Sequence, residues 1–420
     1  MQIILKILSI LAKVCVKKHS PFVIWITWSV GKTSAVNFVY QFLEQKYGRK
    51  VFVSPYNYNG EFWLPLTILQ QKTGWRNPFL WLFIFVNSLF VILFKKYPKI
   101  LVLEYGIDHI WEMDYMMNIV EPDISVILNV TENHIMQMKS IENIRKEKLK
   151  IIWKKSRVIF NNDDENLKYL DWTSYWINDS SKLKAKNIRS GVWSIIFDLI
   201  YSWKEYRWLK YNLVWEFQVY NILALIWVGL EMWIDIEEII KLSKDIFAPT
   251  WRWTILQWIN DSIIIDWSYN WGYKSISEWI KYLNDINSEY IKIAFVWDMR
   301  ELWDKTQIFH EKISEELINS NIDFIILVWE EFNKYSLKQL ENKFWKNRVY
   351  HFFDSRLAGK TIKNIINHQD KKSLIFVKWS QNTIFLEEGI KEFCLEKEMT
   401  KLVRQGKKWG KIKNNFFSKC

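Results

Sequence analysis

The run Ile26-Thr27-Trp28-Ser29-Val30-Gly31-Lys32-Thr33-Ser34 holds residue types that can grip a polyphosphate. Lys32 can reach β- and γ-phosphates, Thr33 can offer a hydroxyl to Mg²⁺, and the loop backbone can surround the anion at a helix N-terminus. An apolar run at residues 22–26 precedes it and helical spacing at 35–47 follows, the strand, loop and helix context that such a loop requires. A chance Gly-Lys-Thr at a helix cap is the plain alternative, and that context disfavours it. One residue is out of place. Trp28 stands where the first glycine of the loop belongs, and a side chain there blocks the close approach of backbone N–H groups to phosphate.

The same misfit recurs along the chain, which has 27 Trp and 12 Gly in 420 residues, less than half the usual glycine content of about 7%. Tryptophans stand in turn-like sequences such as Ala248-Pro249-Thr250-Trp251-Arg252-Trp253 and Val296-Trp297-Asp298, where bulk is poorly tolerated. The reading that accounts for both facts is a gene in which UGA specifies glycine but has been translated as tryptophan. The alternative is a truly tryptophan-rich protein.

Other candidate chemistry lies at strand ends. Apolar runs at 100–103 and 124–128 end at Glu104 and Asn129, and His134 follows shortly after. Strands alternating with helices predict a parallel sheet with ligands at its carboxyl edge. Glu104 and His134 there could hold metal ions that bridge phosphate oxygens. Each alone is weak, since a lone Glu or His is more often a surface or capping residue; beside a phosphate loop they form a set.

At 420 residues the chain exceeds one core. Residues 156–214 are rich in short β-like runs, 219–232 read as a helix, and the Pro-containing stretch at 247–253 marks a boundary. Four further apolar strands, at 262–266, 291–296, 324–328 and 373–377, alternate with helices and predict a second α/β domain. The expected organisation is an apolar segment (1–20), a central P-loop parallel-sheet domain (21–247), a Rossmann-like C-terminal α/β domain (248–395) and a basic tail (396–420) that is loose. No internal repeat is visible.

The net charge of +12 comes from dispersed lysines, without the interleaved basic and aromatic pattern of a nucleic-acid binder; solvated surface, an anionic nucleotide or an acidic membrane surface fit better. Cys15, Cys394 and Cys420 have no metal or disulfide spacing, which favours a reducing, cytoplasmic setting. Residues 79–94 are apolar but shorter than the roughly twenty needed to span a bilayer, so a buried or interfacial helix is expected, the latter making a peripheral membrane contact. The apolar start, residues 1–16, contains Lys6 and no small-residue cleavage site, unlike a secretory signal.

With glycine restored, the segments ITWSVGKTS, LEYGID, NVTENHI, SIENIRKEKLKI, NNDDE, WEFQVYNILA, PTWRWTILQ, IDWSYN, VWDMRELWD and VKWSQN resemble, in order, the motifs of the Mur ligase family, the ATP-dependent amide-bond ligases of peptidoglycan precursor synthesis. IDWSYN and VWDMRELWD most resemble the member that adds D-alanyl-D-alanine to the UDP-N-acetylmuramoyl tripeptide. The resemblance implies ATP and Mg²⁺ as cofactors, the nucleotide-linked muramoyl peptide and D-alanyl-D-alanine as small-molecule partners, an acyl-phosphate mechanism and a monomer. It implies nucleotide contacts from Trp28 (as glycine), Ser29, Val30, Gly31, Lys32, Thr33 and Ser34, from Asn221 near the adenine, and from Arg252 and Asp266. It implies metal positions at Thr33, Glu104 and His134, and at Lys148 as a carbamylated lysine, with Lys32, Lys148 and His134 in catalysis. Without the resemblance Lys148 reads as an exposed helix lysine. Ser268, Tyr269 and Asn270 match the motif lining the incoming amine's site. Because Arg252, Asp266 and Lys32 fall on both sides of the boundary, it also implies a closing motion of the C-terminal domain.

The chain departs from the family in two respects. Only about 25 residues precede the loop, whereas members usually carry an N-terminal domain for the uridine nucleotide. Phe217 and Gln218 replace a His-Asn pair. A Mur-like ligase for another cell-wall or γ-glutamyl acceptor, or a non-catalytic nucleotide-binding scaffold if Trp28 is real, are the remaining alternatives. Sequencing the gene tests the recoding: UGA codons are expected at positions 28, 251, 267 and 297, and UGG codons there would overturn it.

Overall fold

A computed structural model describes the chain except residues 1, 28–31, 54–59, 75–76, 108, 131–137, 153–154, 168–169, 171–172, 177–181, 250–253, 259–260, 268–272, 287–288, 300–301, 303–304, 345–346, 379–384 and 419–420. It divides into two compact units, residues 1–190 with 194–247, and 191–193 with 248–420.

The first unit is built on a nine-stranded sheet. Its strands are β1 (Phe22–Thr27), β2 (Val51–Val53), β3 (Ile100–Tyr105), β4 (Ile124–Ile127), β5 (Arg157–Asn161), β6 (Thr173–Trp176), β7 (Leu183–Ser190), β8 (Ile195–Tyr201) and β9 (Lys204–Tyr211). The order is β2-β3-β1-β4-β5-β6-β7-β8-β9, parallel as far as β7, after which β8 and β9 form antiparallel hairpins. The central strands are buried on both faces, as expected for a parallel sheet covered by helices. Alternate residues go to opposite sides. Val23, Trp25, Leu101 and Leu103 join a core with α1 (Gln2–His19), α3 (Trp63–Ile68), α4 (Pro78–Phe94) and α5 (Glu112–Met117). A further helix on this unit, α6 (Ile141–Leu149), is capped by Ser140, whose Oγ accepts the N–H of Asn143. Helix α2 (Lys32–Tyr47) packs against α7 (Gln218–Glu231) and α8 (Ile236–Ser243).

The second unit has a six-stranded sheet in the order β10-β11-β15-β12-β13-β14. These are β10 (Thr254–Gln257), β11 (Ile263–Trp267), β12 (Ile291–Trp297), β13 (Phe324–Val328), β14 (Val349–Phe352) and β15 (Ser373–Lys378). All pairs are parallel except β10 with β11. The helices are α9 (Tyr273–Asp285), α10 (Thr306–Ile318), α11 (Glu330–Tyr335), α12 (Leu337–Lys343), α13 (Ser355–Asn367), α14 (Leu386–Lys391) and α15 (Lys407–Phe417). Two strands, β10 and β14, go beyond the four expected. The basic tail is not loose: Lys413, 5% exposed, donates to Glu387 at 2.9 Å and Glu388 at 2.6 Å, and Arg404 grips Glu387 through two bonds of 2.7 and 3.0 Å. Two cations meeting carboxylates on α14 fold the tail onto this unit, where charge count alone suggested solvation.

Two groups stand out among the described tryptophans. Trp203, Trp208, Trp215, Trp233 and Trp329 have φ between 57° and 91°, a region costly for any residue with a Cβ. Trp25, Trp279 and Trp297 are fully buried, and their indole N–H groups have no hydrogen-bond partner among the described residues. Trp297, expected at a turn, instead ends β12, and Trp267 ends β11. Two exposed cases are diagnostic. Ser202 and Trp203 form the two-residue link between β8 and β9, with φ 46° and 73°, the geometry of a type I′ turn that favours glycine second. Trp233 follows α7 at φ 61°; its N–H reaches Leu230 O while Ile234 N–H reaches Gly229 O, the paired bonds of a Schellman cap whose left-handed residue is usually glycine. Trp203 is 100% and Trp233 89% exposed, so neither gains packing to offset the strain. Trp203→Gly and Trp233→Gly are each expected to stabilise the protein by about 1 kcal/mol, read as a rise in urea midpoint at unchanged slope; unchanged or lower midpoints would contradict the strain.

Candidate nucleotide site

Parallel pairing brings the ends of three strands level. Thr27 lies opposite Tyr105 on one side and Ile127 on the other, and Ile26 lies opposite Glu104. Thr27 Oγ1 donates to Tyr105 O at 3.2 Å, which locks the ends of β1 and β3 together. Helix α2 begins at Lys32, whose side chain lies outside the described residues, and on its first turn Thr33 Oγ1 donates to Glu104 Oε2 at 3.3 Å. Glu104 is 8% exposed. Ser34, also on that turn, is buried.

Lys148 comes to the same edge from α6. It is 3% exposed, and its Nζ donates to Thr27 Oγ1 at 3.5 Å, so it is not the exposed helix lysine that local sequence suggests. The helix is tied down on both sides of it. Glu147 accepts the Met113 N–H at 3.1 Å and pairs with Lys150 at 2.7 Å, while Arg145 Nε donates to Asn166 O at 2.7 Å. The NNDDE segment also acts as a fastening, since Asp164 accepts the N–H of Val130 at 3.2 Å and Asn166, just beyond the segment, donates to Val130 O at 2.9 Å. That clamps the chain immediately before residues 131–137.

Thr33 and Glu104 present hard oxygen donors with a separation that two ligands of one cation at about 2.0–2.1 Å can span, so they fit Mg²⁺. His134 lies outside the described residues, as do Trp28, Ser29, Val30, Gly31, Arg252, Ser268, Tyr269 and Asn270. Among the described residues no group of three His, Cys, Asp or Glu side chains gathers as a metal cluster. Asn221 is buried on α7, where its Nδ2 donates to Gln218 Oε1 at 2.6 Å rather than to the Thr33, Glu104 and Lys148 group.

In the second unit, Asp266 is 1% exposed near the carboxyl end of β11. Two charged residues that sequence reasoning missed occupy the same edge. Lys378, fully buried at the end of β15, stands 3.6 Å from the Trp267 ring centre. Asp298 follows β12 and accepts the N–H groups of Glu331 at 2.7 Å and Phe332 at 2.9 Å; burial pushes its carboxyl up to about 7 despite those bonds. Nearby, His310 Nε2 accepts the Met299 N–H at 3.0 Å, and burial lowers its imidazole to about 4. Both hold the backbone after β12 in place. The available signal was a charged residue directly after an apolar strand.

A strand, a loop and a helix, with a hydroxyl and carboxylate converging at the carboxyl edge of a parallel sheet, define an α/β protein of the phosphate-loop class. Residues 26–229 match the Mur ligase middle domain. The chain is 26% identical over 340 residues to the UDP-N-acetylmuramoyl-tripeptide--D-alanyl-D-alanine ligase of Borreliella burgdorferi, covering 78% of this chain and 67% of that protein. It is 24% identical over 398 residues to the Bacillus subtilis protein of the same name, covering 91% and 78%. Its fold is shared with the MurF ligase from Thermotoga maritima in complex with ADP, at a TM-score of 0.69 and 22% identity over 94% of this chain and 84% of that one.

On protein with glycine at residue 28, Mg²⁺ and ATP at a hundred times their dissociation constant are expected to stabilise the first unit by about 2.7 kcal/mol. Thr33→Val, which keeps the side-chain volume but removes the hydroxyl, is expected to abolish most of that shift in a thermal melt. A full shift in the variant would remove Thr33 from the site.

Proposed function

We propose that this chain is an ATP- and Mg²⁺-dependent ligase of peptidoglycan precursor synthesis that joins D-alanyl-D-alanine to UDP-N-acetylmuramoyl tripeptide. The observation that carries the reading is the convergence of Thr33, Glu104 and Lys148 on the end of β1. The names of the relatives supply the substrates, which geometry alone does not choose. The enzyme works as a monomer in the cytoplasm.

The reaction has two steps. A carboxylate oxygen of the muramoyl peptide attacks the γ-phosphorus of ATP, the bond to the β-phosphate oxygen breaks, and ADP leaves an acyl phosphate. The amine of D-alanyl-D-alanine then attacks the acyl carbon, loses a proton, and expels phosphate. Positioning and charge neutralisation provide most of the catalysis in such transfers. Mg²⁺, held by Thr33 and Glu104 with His134, would neutralise the phosphate oxygens. Lys32 reaches the β- and γ-phosphates and the loop N–H groups surround them. Carbamylation of Lys148 would convert a buried cation into an anionic ligand beside Thr27. Asn221, Arg252 and Asp266 complete the nucleotide contacts, and Ser268, Tyr269 and Asn270 line the site of the incoming amine. This requires glycine at residue 28. If Trp28 is native, the loop is obstructed and the scaffold reading takes over.

Phosphate release is expected only when ATP, UDP-N-acetylmuramoyl tripeptide and D-alanyl-D-alanine are all present, with the pentapeptide product detected by mass. Lys148→Met is expected to lower the rate at least a hundredfold, on the scale of losing a buried charge-stabilising group, and Lys148→Arg should not restore it because guanidinium does not carry a carbamate. Turnover with a different acid or amine would redirect the substrate assignment; no turnover with any acceptor, from protein with glycine at 28, would overturn the ligase.

A further inference from the structure

Helices α1 and α4 lie side by side on the first unit. Lys18 Nζ donates to Leu93 O at 3.2 Å, and His19 Nε2 contacts Ile92 O at 3.1 Å, so their C-termini meet. The inner face of α4 is ordinary: Trp81, Ile84, Ser88, Val91 and Ile92 are buried in the core. Its outer face is equally apolar. Phe79, Phe83, Val86, Phe90 and Phe94 are 55% to 81% exposed, and the helix contains no charged residue. On α1 the outer stripe is Ile3, Ile7, Ile10 and Val14. A surface helix normally carries polar side chains opposite the core, and a contiguous exposed apolar face of this kind marks an interaction site.

The charges on α1 and on the chain flanking α4 have one sign. Residues 1–43 and 62–103 contain no Asp or Glu, while Lys6, Lys17, Lys18, Lys95 and Lys96 border the apolar plate, four of them at the end where the helices meet. We propose that α1 and α4 form a docking face for the surface of a bilayer containing anionic phospholipid, with both helices lying in the interfacial plane. Each component of the surface has a matching component in the lipid: the phenylalanines and isoleucines enter the acyl boundary, and the lysines meet phosphate headgroups. At 17 residues α4 is about 25 Å long, and no helix among the described residues is long and apolar enough to cross a membrane, which fits a helix that lies on the bilayer. A second copy of the chain is a poorer occupant, because it presents no acidic group on this face to meet the lysines. The contact stands independently of ligase activity, since it involves none of the nucleotide residues.

The test is co-sedimentation of the full chain, without nucleotide, with vesicles of phosphatidylcholine alone and of phosphatidylcholine mixed with phosphatidylglycerol. Binding is expected to be at least about tenfold stronger to the anionic vesicles and to weaken with salt. Phe83→Glu with Phe90→Glu, on side chains that face away from the core, should abolish it while the far-ultraviolet circular dichroism stays unchanged. Lys17→Gln with Lys96→Gln, which leaves the apolar plate intact, should weaken it roughly tenfold to thirtyfold. Absence of binding to either vesicle, or binding unaffected by both double variants, would overturn the proposal. So would a dimer in analytical ultracentrifugation that dissociates with the phenylalanine variants while vesicles capture nothing.

Discussion

The candidate site depends on the register of β1 between β3 and β4. Parallel hydrogen bonding sets Ile26 against Glu104 and Thr27 against both Tyr105 and Ile127, and that fixes where each strand releases its chain into a loop. Successive strand residues face opposite ways, so a slip of one residue would turn Glu104 from one face of the sheet to the other. The slip is opposed by burial on both faces, by the Thr27 hydroxyl bound to Tyr105 O, and by Asp123, whose carboxylate accepts the Val23 N–H at 2.7 Å at the other end of β1. The pair of Thr33 and Glu104 follows from this register, because α2 starts where β1 stops. Lys148 requires one more element, a helix held by Ser140, Glu147 and Arg145.

Much of this architecture was legible in the chain. Buried parallel strands are continuous apolar runs, so β1, β3, β4 and the four central strands of the second unit could be read directly. Glu104 could be read as a strand-end residue for the same reason. The strand β14 could not, since Val349-Tyr350-His351-Phe352 is short, contains a histidine and is only partly buried. Lys148 carried the wrong local signal: four consecutive charged residues, Arg145 to Lys148, read as a solvated helix, and only tertiary packing turns two of them inward. The C-terminal basic stretch failed in the same way. Its anchor is a carboxylate pair on α14, far upstream of Lys413 in the chain, and sequence composition does not encode such a pairing.

Several of the described tryptophans divide along a physical line that sequence alone could not draw. Backbone at positive φ and tight caps select against a Cβ, and Trp203 and Trp233 occupy such positions with no compensating burial. Trp25 is different, because it sits in the centre of β1 and stacks on Tyr105 at 3.7 Å between ring centres. Trp297, placed by sequence at a turn, belongs to the core of the second unit. A fold can absorb an indole within a sheet at the cost of an unpaired N–H, about 1–3 kcal/mol, but it cannot relieve a left-handed backbone by packing. The exposed turns are therefore where glycine in place of tryptophan fits the backbone best.

The face formed by α1 and α4 poses a conflict between stability and solubility. A 17-residue helix with no charge has more apolar surface than one core can cover, because only about half of a helix circumference faces the sheet. The outward phenylalanines contribute nothing to the core beneath them, so the fold of the first unit does not require them. Polar residues at those positions would leave Trp81, Ile84 and Val91 packed as they are. The retained apolar composition is then a property of what the helix meets outside the protein, and the positive charges on α1 and flanking α4 constrain the sign of charge that it meets.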